Sequence, residues 1–490
     1  SKGFDICAAI PFRSRLESAF GLGERTRESE RAEPVEKPAR ERAAVILAAG
    51  KGTRMKSDLP KVMHKVAGRP MIDWSIALAR DVGCDRIVVV AHPSQTILID
   101  HVGALLGADS LAYQDPPMGT GHAVRCAEEA LAGFEGDLVV LYGDSPLVPA
   151  SAIGSLFDSL SDGAAIGVLG FDAAEPGLYG RLITSGHGDL EAIVEAREAT
   201  PEQLDVTLCN SGVMAGDAVT MFSLLQKVTN DNAKGEYYLT DLVALARAED
   251  MTCKAVRCDE DDLIGCDSKA DLAEAESIFQ NRRRMQAMAD GVSLIAPETV
   301  WFSHDTLLEA DVTVEPNVVF GPGVIVQSGA VIRAFSHLEG AQVGPGCFVG
   351  PYARLRPGTV LEKDAFIGNF VEVKSTTMGE GAKASHLSYL GDGQVGADVN
   401  IGAGTIFCNY DGFLKYQVRI EDGAFIGSNS ALVAPVRIGR GAVVGSGSVV
   451  TDDVSADALA LGRARQTEIK DWAIEFRSRK ASEKADKQKG

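Results

Sequence analysis

The sequence lacks any long apolar run. Nowhere in its 490 residues does an uninterrupted apolar stretch approach the ~18 residues that a bilayer-spanning helix needs, so we expect no membrane partner. Basic residues are also scarce, because 48 Lys and Arg stand against 68 Asp and Glu, a net charge of −20. Such an excess of negative charge disfavours a nucleic-acid partner or an acidic membrane surface. Any phosphate ligand must therefore be held by locally placed cations.

Paired cysteine motifs are absent as well. The nine cysteines are odd in number and none is arranged as CxxC, which argues against a disulfide framework and against a zinc site. Reduced thiols favour a cytoplasmic location. Glycine, by contrast, is abundant at 52 residues, above the ~7% usual in proteins, so many backbone positions must form turns or close approaches. A chain of this length and ordinary hydrophobic content predicts two or three folded domains.

Composition divides the chain into five segments. Residues 1–42 carry a mixed-charge run (ERTRESERAEPVEKPARER) and are predicted to form a flexible N-terminal extension. Residues 43–267, the front domain, alternate short apolar runs with helical patterns. Residues 268–290 are rich in Ala, Glu and Arg without a helix breaker, which predicts one linker helix. Residues 291–470, the coil domain, are repetitive, and residues 471–490 form a charged C-terminal tail.

The front domain has the pattern of an α/β fold. Apolar runs at 45–50, 86–91 and 138–142 predict strands, and the segments 71–79 and 122–134 predict helices between them. Such alternation is typical of a Rossmann-like, mostly parallel sheet covered by helices on both faces. Ligands bind beyond the carboxyl ends of the strands in such sheets. The residues expected at that edge are Gly50, His92 and Asp144.

A period of six replaces the helical pattern in the coil domain. Aliphatic residues recur at every sixth position, which predicts a left-handed parallel β-helix of hexapeptide repeats, whereas ordinary strands would alternate with period two. The phase breaks between Ile401 and Ile420, so residues 409–417 are predicted to form a projecting loop. The aliphatic series are Val312, Val318, Val324; Val343, Val349, Leu355, Leu361, Ile367, Val373; and Ile420, Ile426, Leu432, Ile438, Val444, Val450.

A glycine-rich segment follows the first predicted strand. It reads LAAGKGTRM from Leu47 to Met55, and LPK follows shortly after it. It matches neither the Walker A pattern nor GxGxxG, because Met55 stands at the third glycine position. Glycines here would let backbone N–H groups approach anionic oxygens while nearby cations neutralise their charge. Those cations are Lys51, Arg54 and Lys61.

These motifs resemble the signature of sugar-phosphate nucleotidyltransferases. With the hexapeptide coil, the chain is similar over residues 43–470 to the bacterial bifunctional family that combines N-acetylglucosamine-1-phosphate uridyltransferase with glucosamine-1-phosphate N-acetyltransferase. Members of that family make UDP-N-acetylglucosamine for peptidoglycan and lipopolysaccharide. The motifs that narrow the resemblance are Gln114, GTGH (119–122), LYGD (141–144), YGR (179–181), IVE (193–195), NSG (210–212) and NAKGEYYLTD (232–241).

The resemblance implies that the front domain transfers UMP from UTP to N-acetylglucosamine-1-phosphate and releases pyrophosphate. The attacking phosphate is already an anion, so the reaction needs alignment and charge neutralisation rather than a base. Arg54 and Lys61 would be catalytic, and Asp144 and Asp267 would bind Mg²⁺, although the family has Asn where Asp267 stands. The implied UDP-N-acetylglucosamine contacts are Leu47, Ala48, Ala49, Gly50, Lys61, Gln114, Gly119, Thr120, Tyr142, Gly143, Asp144, Gly180, Glu195, Asn210 and Asp267.

The coil domain carries polar motifs that a bare hexapeptide coil does not need. Acetyl transfer from acetyl-CoA to an amine requires a base, and His386 in SHLSYLGD can accept a proton near neutral pH. In the resembling family this histidine is the catalytic base. The resemblance also implies that the glucosamine-1-phosphate contacts are Arg356, Lys374, Tyr389 and Asn400. It implies that the acetyl-CoA contacts are Ala403, Asn409, Tyr410, Ser428, Ser446 and Arg463, with Ser446 standing where relatives have Ala.

Other interpretations stay open at this point. A single-function nucleotidyltransferase could carry a regulatory coil, and an inactive front domain could be oligomerised by a scaffolding coil. Cys347 or Cys408 could form a covalent acyl-enzyme, although direct transfer needs no nucleophile. In the resembling family the coils associate as homotrimers that share acetyl sites between neighbours, and this chain is expected to do the same.

Overall fold

The computed structural model describes residues 40–186, 188–232 and 234–487, with the side chain of Lys487 excepted. The predicted flexible extension therefore lies outside the described residues up to residue 39. The first strand begins at Arg42.

The front domain is built on a nine-stranded sheet. Its main path runs in the order β11-β7-β10-β6-β1-β4-β5, with β8 and β9 attached beside β10. All pairings along the path are parallel except those that β10 makes with β6 and β7, which confirms the mostly parallel sheet. The strands are β1 (Arg42–Leu47), β2 (Lys65–Val66), β3 (Arg69–Pro70), β4 (Cys84–Ala91), β5 (Leu111–Tyr113), β6 (Asp137–Tyr142), β7 (Ile166–Asp172), β8 (Arg181–Thr184), β9 (Leu190–Val194), β10 (Leu208–Asp217) and β11 (Cys253–Cys258), where β2 and β3 form a separate hairpin.

Helices cover both faces of this sheet. Successive residues of β1 point to opposite sides: Ala43 and Val45 join one hydrophobic cluster, and Ala44 and Ile46 join another. An apolar run in a central strand therefore serves two cores. The helices of the described chain are α1 (Met71–Asp81), α2 (Thr96–Leu106), α3 (Thr120–Cys126), α4 (Ala150–Ser161), α5 (Pro201–Leu204), α6 (Ala218–Leu225), α7 (Asp241–Ala248), α8 (Lys269–Ala289) and α9 (Trp472–Lys487).

The predicted helix over residues 122–134 is wrong in its second half. Helix α3 ends at Cys126, and residues 127–133 form successive turns. Backbone hydrogen bonds between residues three apart form there, as from Glu128 N to Arg125 O at 3.1 Å. Gly133 then adopts a φ of +74°, which a continuing helix cannot accommodate.

Helix α8 (Lys269–Ala289) lies within residues 268–290, the segment predicted to be helical. Ser268 caps it, since its hydroxyl accepts a bond from the N–H of Asp271 while the Asp271 carboxylate accepts one from the Ser268 N–H. Two buried side chains of α8 then reach the backbone of the first coil turn. Gln280 exchanges two hydrogen bonds of 2.7 and 2.8 Å with Phe302, and the Arg284 Nε donates to Val300 O at 3.0 Å. The helix thus closes the open end of the coil.

The coil domain is the left-handed parallel β-helix that the hexapeptide period predicts. A ten-stranded sheet forms one row of rungs, and a fourteen-stranded sheet contains two further rows that meet at β24. Its strands are β12 (Ser293–Leu294), β13 (Leu307–Leu308), β14 (Thr313–Val314), β15 (Val319–Phe320), β16 (Ile325–Val326), β17 (Val331–Ile332), β18 (His337–Leu338), β19 (Ala341–Val343), β20 (Phe348–Val349), β21 (Arg354–Leu355), β22 (Thr359–Leu361), β23 (Phe366–Asn369), β24 (Glu372–Met378), β25 (Lys383–His386), β26 (Tyr389–Val395), β27 (Asn400–Ile401), β28 (Ile406–Cys408), β29 (Val418–Ile420), β30 (Phe425–Ile426), β31 (Ala431–Val433), β32 (Val436–Ile438), β33 (Val443–Val444), β34 (Val449–Val450) and β35 (Leu459–Ala460).

The aliphatic series fills the interior of the coil. Every one of its fifteen members, from Val312 to Val450, is at most 6% exposed, and they belong to one continuous cluster. The predicted loop over residues 409–417 is also confirmed, because it lies between β28 and β29 and is mostly exposed. The loop lengthens one turn of the coil. Lys383 pairs with Asn400 on the next turn, but the residue that pairs with Asn400 on the turn after that, Phe425, lies further along the chain.

The predicted C-terminal tail contains helix α9, and residues 488–490 lie outside the described part. Within the described ranges, every helix is too short or too polar to cross a membrane.

Candidate functional site

Two carboxylates meet at the carboxyl edge of the front sheet. Asp144 follows β6, and Asp267 precedes α8 on a segment that arrives from the far edge of the sheet. The Cys266 N–H donates to the Asp144 carbonyl oxygen at 2.9 Å and joins the two segments. The Asp271 carboxylate accepts the N–H groups of Asp267 and Ser268 at 2.9 and 2.8 Å. The capping group of α8 therefore also fixes the position of Asp267.

Two cations from the glycine-rich segment bind these carboxylates. The Lys61 ammonium bonds to Asp144 and, at 2.9 Å, to Asp267 Oδ1, and Arg54 Nη2 lies 2.8 Å from Asp267 Oδ2. Burial alone would lower the pKa of Lys61, but the charges and hydrogen bonds of Asp144 and Asp267 raise it above its ordinary value. The lysine therefore stays charged at working pH. Gly52 allows this approach, since a Cβ there would lie 2.7 Å from the Lys61 Cβ.

The carboxylate pair suits a hard divalent cation. The Lys61 ammonium already occupies the space between Asp144 and Asp267, which is a cation position with oxygen on two sides. Among the described residues no group of three or more Cys, His, Asp and Glu side chains could hold a metal. Mg²⁺ fits such a sparse site, because it retains several waters and commonly takes one or two carboxylates together with substrate phosphate oxygens.

A second group of predicted residues forms a pocket wall beside the ends of β4 and β5. The amide of Gln114, itself buried, donates to the Gly119 carbonyl at 2.9 Å. Thr120 begins α3, and its hydroxyl accepts the N–H of Leu239 at 3.1 Å. Gly119 lies against Tyr237, whose carbonyl would be 2.5 Å from a Cβ at that position. These contacts join the wall to the segment that contains Tyr237 and Leu239.

The loop after β1 is tied to both neighbouring strands. Leu47 accepts the N–H of Gly143 at 3.0 Å, and the Ala48 N–H donates to Val90 O at 2.9 Å. Gln95 donates its amide to Ala48 O at 3.1 Å and to Gly50 O at 3.3 Å. The predicted residues Leu47, Ala48, Ala49 and Gly50 are therefore brought to the same edge as Tyr142 and Gly143.

The predicted sugar contacts form a third group across the sheet edge. The Asn210 N–H donates to Gly180 O at 2.8 Å, and a Cβ at Gly180 would lie 3.7 Å from Glu195 Oε1. The Tyr142 ring packs against Gly212, where a Cβ would come within 2.8 Å of it. Burial raises the pKa of Tyr142, so its hydroxyl stays neutral. This contact joins the sugar group to the carboxylate pair.

His386 lies exposed at a corner of the coil. Its Nδ1 is 2.5 Å from the Asn369 side-chain oxygen on the preceding turn. Because an amide oxygen only accepts, this bond places the proton of the neutral ring on Nδ1. Nε2 then carries the free lone pair that a general base needs.

The predicted phosphate-binding residues lie on the adjoining face. Arg356 Nη1 bonds to Glu372 at 2.8 Å, and Glu372 pairs in register with Tyr389 on the next rung. Lys374 pairs with Gly391 on the same two rungs. The nearby ammonium of Lys415, from the projecting loop, lowers the pKa of Lys374. The positive charges of Arg356, Lys374 and Lys415 therefore lie close enough to act on one another.

The predicted acetyl-CoA residues continue the His386 corner along the coil. Three of them, Ala403, Ser428 and Ser446, occupy successive turns, because a Cβ at Gly402 would meet Ser428 N and one at Gly427 would meet Ser446 N. The bonds that stack this corner are Leu387 N to Asn369 O, Gly404 N to His386 O, Asn429 N to Ala403 O and Gly447 N to Ser428 O.

Two of the predicted acetyl-CoA residues, Asn409 and Tyr410, belong to the projecting loop. The Asn409 side chain is buried and donates to Asp392, whereas Tyr410 is exposed and its hydroxyl donates to Gly412 O. Within the described part of the chain, no hydrogen bond or ion pair joins the side chain of Asn400 or Arg463 to the His386 region.

The cysteine alternative does not fit the geometry at Cys347. That thiol is fully buried, it donates to the Glu362 carbonyl at 2.9 Å, and burial raises its pKa to about 11. A thiol in this state is a poor nucleophile at neutral pH. Cys408 is half-buried beside the projecting loop.

Sequence reasoning missed several residues that lie against the predicted ones. Asn369 and Lys415 gave no signal, because asparagine is common at coil corners and a loop lysine is ordinary. Gln95 gave none either. Glu372, like Arg356, is a charged residue that a bare hexapeptide coil does not need. It could have been found by pairing opposite charges on adjacent turns of the coil.

Comparison with known proteins covers both domains. The MobA-like NTP transferase domain matches residues 44–202, and the hexapeptide repeat of succinyl-transferase matches residues 417–452. The chain is 71% identical over 446 residues to the bifunctional protein GlmU of Hyphomonas neptunium, with 91% of this chain and 97% of that relative covered. The protein of the same name from Caulobacter vibrioides is 55% identical over 457 residues, covering 93% and 99%. That from Sphingopyxis alaskensis is 54% identical over 450 residues, covering 91% and 99%.

These matches favour a bifunctional chain over the single-function and scaffold alternatives, because they cover at least 91% of this chain and at least 97% of each relative. Since nearly the whole of each relative is aligned, the chain belongs to the family of bifunctional GlmU proteins, which join a nucleotidyltransferase to a hexapeptide-repeat acetyltransferase for the synthesis of UDP-N-acetylglucosamine.

Proposed function

We propose that the carboxyl edge of the front sheet is the uridyltransferase site and that the His386 corner is the acetyltransferase site. The observation that supports the first is the meeting of Lys61 and Arg54 with Asp144 and Asp267. The observation that supports the second is the orientation of the imidazole by Asn369.

In the uridyltransferase site, the phosphate oxygen of N-acetylglucosamine-1-phosphate attacks the α-phosphorus of UTP. The bond to the β-phosphate breaks, and pyrophosphate leaves. Arg54 and Lys61 neutralise charge on the phosphates as it redistributes, which is the main requirement of phosphoryl transfer. Asp144 and Asp267 hold Mg²⁺, which would supply further charge neutralisation when bound.

Other front-domain residues bind rather than react. The wall of Gln114, Gly119 and Thr120, together with the loop from Leu47 to Gly50, holds UTP through backbone and amide groups. Gly180, Glu195 and Asn210 bind the sugar, and Tyr142 and Gly143 connect the two parts of the pocket. Fixed backbone donors of this kind align the attacking oxygen with the phosphorus.

In the acetyltransferase site, the amine of glucosamine-1-phosphate attacks the thioester carbonyl of acetyl-CoA. His386 Nε2 accepts the amine proton as the carbon–nitrogen bond forms, and the carbon–sulfur bond breaks to release CoA. Arg356 and Lys374 bind the sugar phosphate. Tyr389 and Asn400 contact the sugar, while the corner residues Ala403, Asn409, Tyr410, Ser428, Ser446 and Arg463 bind acetyl-CoA.

The proposal includes a homotrimer in the cytoplasm. Two features support association through the coil: the exposed ring stack of Phe335, Tyr352 and Phe370, with centroids 4.9 and 5.3 Å apart, and the projecting loop, where Phe413 is 90% exposed. Large exposed apolar groups of this kind mark protein interfaces. Analytical ultracentrifugation of the full chain would test the trimer.

One reciprocal experiment tests both sites. The full chain is incubated with glucosamine-1-phosphate, acetyl-CoA, UTP and Mg²⁺, with CoA thiol and pyrophosphate measured separately. Lys61→Met should abolish pyrophosphate release and leave CoA release intact. His386→Asn should lower CoA release by about 10²–10⁴-fold and leave pyrophosphate release from supplied N-acetylglucosamine-1-phosphate intact. Loss of both signals in either folded variant would contradict the assignment of two separate sites.

A further inference from the structure

Both carboxylates of the front-domain pair are bonded to the protein's own cations. Asp267 uses both oxygens, because Oδ1 bonds to Lys61 at 2.9 Å and Oδ2 to Arg54 at 2.8 Å. Asp144 bonds to the same lysine. Two negative and two positive charges therefore form one cluster with no net charge. An asparagine at position 267 could not do this, since it has one oxygen and no charge.

A divalent cation bound between the two carboxylates would take the position of the Lys61 ammonium and would need an oxygen of Asp267 that is already paired. Mg²⁺ or Mn²⁺ must approach a carboxylate oxygen to about 2.0–2.1 Å, and no ammonium or guanidinium can share that lone pair at hydrogen-bond distance. A divalent charge also repels Arg54 and Lys61. We propose that the metal competes with Arg54 and Lys61 for Asp144 and Asp267, so that metal binding releases these two cations to the phosphates of the nucleotide. This inference rests on the metal site proposed above.

Arg54 is the group best placed to move. Its side chain is 71% exposed, whereas that of Lys61 is 12% exposed, so the arginine can turn away without leaving a buried charge unpaired. Once released, it has no carboxylate partner, and a bound triphosphate is the complementary anion. The coupling is reciprocal. A nucleotide that draws Arg54 away from Asp267 raises the affinity of the carboxylates for the metal.

Metal binding without nucleotide gives a direct test. Mn²⁺ binding to the full chain is measured from the electron paramagnetic resonance signal of free Mn²⁺. Arg54→Gln removes a competing cation and should tighten binding by about threefold to tenfold, the range expected for one partly screened charge near the metal. Lys51→Gln removes an equal charge from the same loop, and Lys51 has no ion pair in the described part of the chain, so binding should change by less than about twofold.

A double-mutant cycle isolates the Asp267 contribution. In an Asp267→Asn background, Arg54→Gln should have no more effect than Lys51→Gln, because the competed oxygen is gone. If Arg54→Gln leaves Mn²⁺ binding unchanged or weakens it while Asp144→Asn abolishes it, competition is refuted and the proposed metal site stands. If the wild-type chain and Asp144→Asn bind Mn²⁺ equally, the metal site itself is refuted, and the competition with it.

Discussion

Gly119 offers the sharpest test of the nucleotide pocket. It has φ 100° and ψ 173°, a backbone region that is essentially restricted to glycine. A Cβ there would lie 2.5 Å from the Tyr237 carbonyl oxygen. The two segments are joined by 2.8 Å backbone bonds from Gly121 N to Tyr237 O and from Tyr237 N to Met118 O. Gly119→Ala therefore forces the segments apart where the pocket wall is built.

The cost follows from these contacts. The backbone conformation costs about 1–3 kcal/mol for a residue with a side chain, and each hydrogen bond lost adds about 1 kcal/mol. We expect a total loss of about 3–5 kcal/mol in the free energy of unfolding if both bonds break. A displacement of the wall by about 1 Å would lower uridylyl transfer by about 10²-fold. Acetyl transfer should be unchanged, because the residues proposed for it lie on the strands and loops of the coil domain and not on this wall.

Gly107 supplies a matched control. It has φ 93° and ψ 162°, close to the values at Gly119, yet a Cβ there would meet nothing within 4 Å. Gly107→Ala should therefore show only the backbone cost of about 1–3 kcal/mol and keep uridylyl transfer. Urea unfolding and the two product assays would be run on both variants. Equal destabilisation with full activity in both would refute the argument from the Tyr237 collision.

Three further predictions concern the coil. Asn369→Asp places a carboxylate beside the His386 ring, and a carboxylate there favours the imidazolium over the neutral base. The acid limb of the acetyl-transfer pH profile should therefore move to higher pH, and an unmoved limb would show that Asn369 does not orient the ring. Cys347→Ala and Cys408→Ala should each keep CoA release, and loss of turnover in a folded variant would restore the acyl-enzyme alternative. Ile367→Ala, at a fully buried position, should cost about 2–5 kcal/mol by urea unfolding, whereas Val443→Ala, which is 40% exposed, should cost far less.

Much of the fold could be predicted from the sequence, because its determinants are local or periodic. The interior of a stacked coil has to repeat with the coil, so the period of six located fifteen buried aliphatic residues and the loop that interrupts the repeat. The linker helix was predictable from an unbroken helical composition. Alternating apolar runs were sufficient for the mostly parallel sheet, whereas the phosphate site indicated by glycines beside cations after the first strand stays a prediction.

Tertiary structure decided the contacts between residues far apart in the chain. Asp267 reaches Asp144 because β11 lies at the opposite edge of the sheet from β5, and the chain must return across the carboxyl edge to enter α8. No local propensity encodes that path. Asn369 meets His386, and Glu372 meets Arg356, because stacking brings successive coil turns into register. Helix α3 ends early at Cys126 for a different and local reason, since backbone hydrogen bonds in the turns after it replace the helical pattern. Burial in the coil can be predicted from the sequence because it is periodic. The pairing of charges between distant segments depends on the order of the strands in the sheet and on the register of the coil turns, which only the folded chain has.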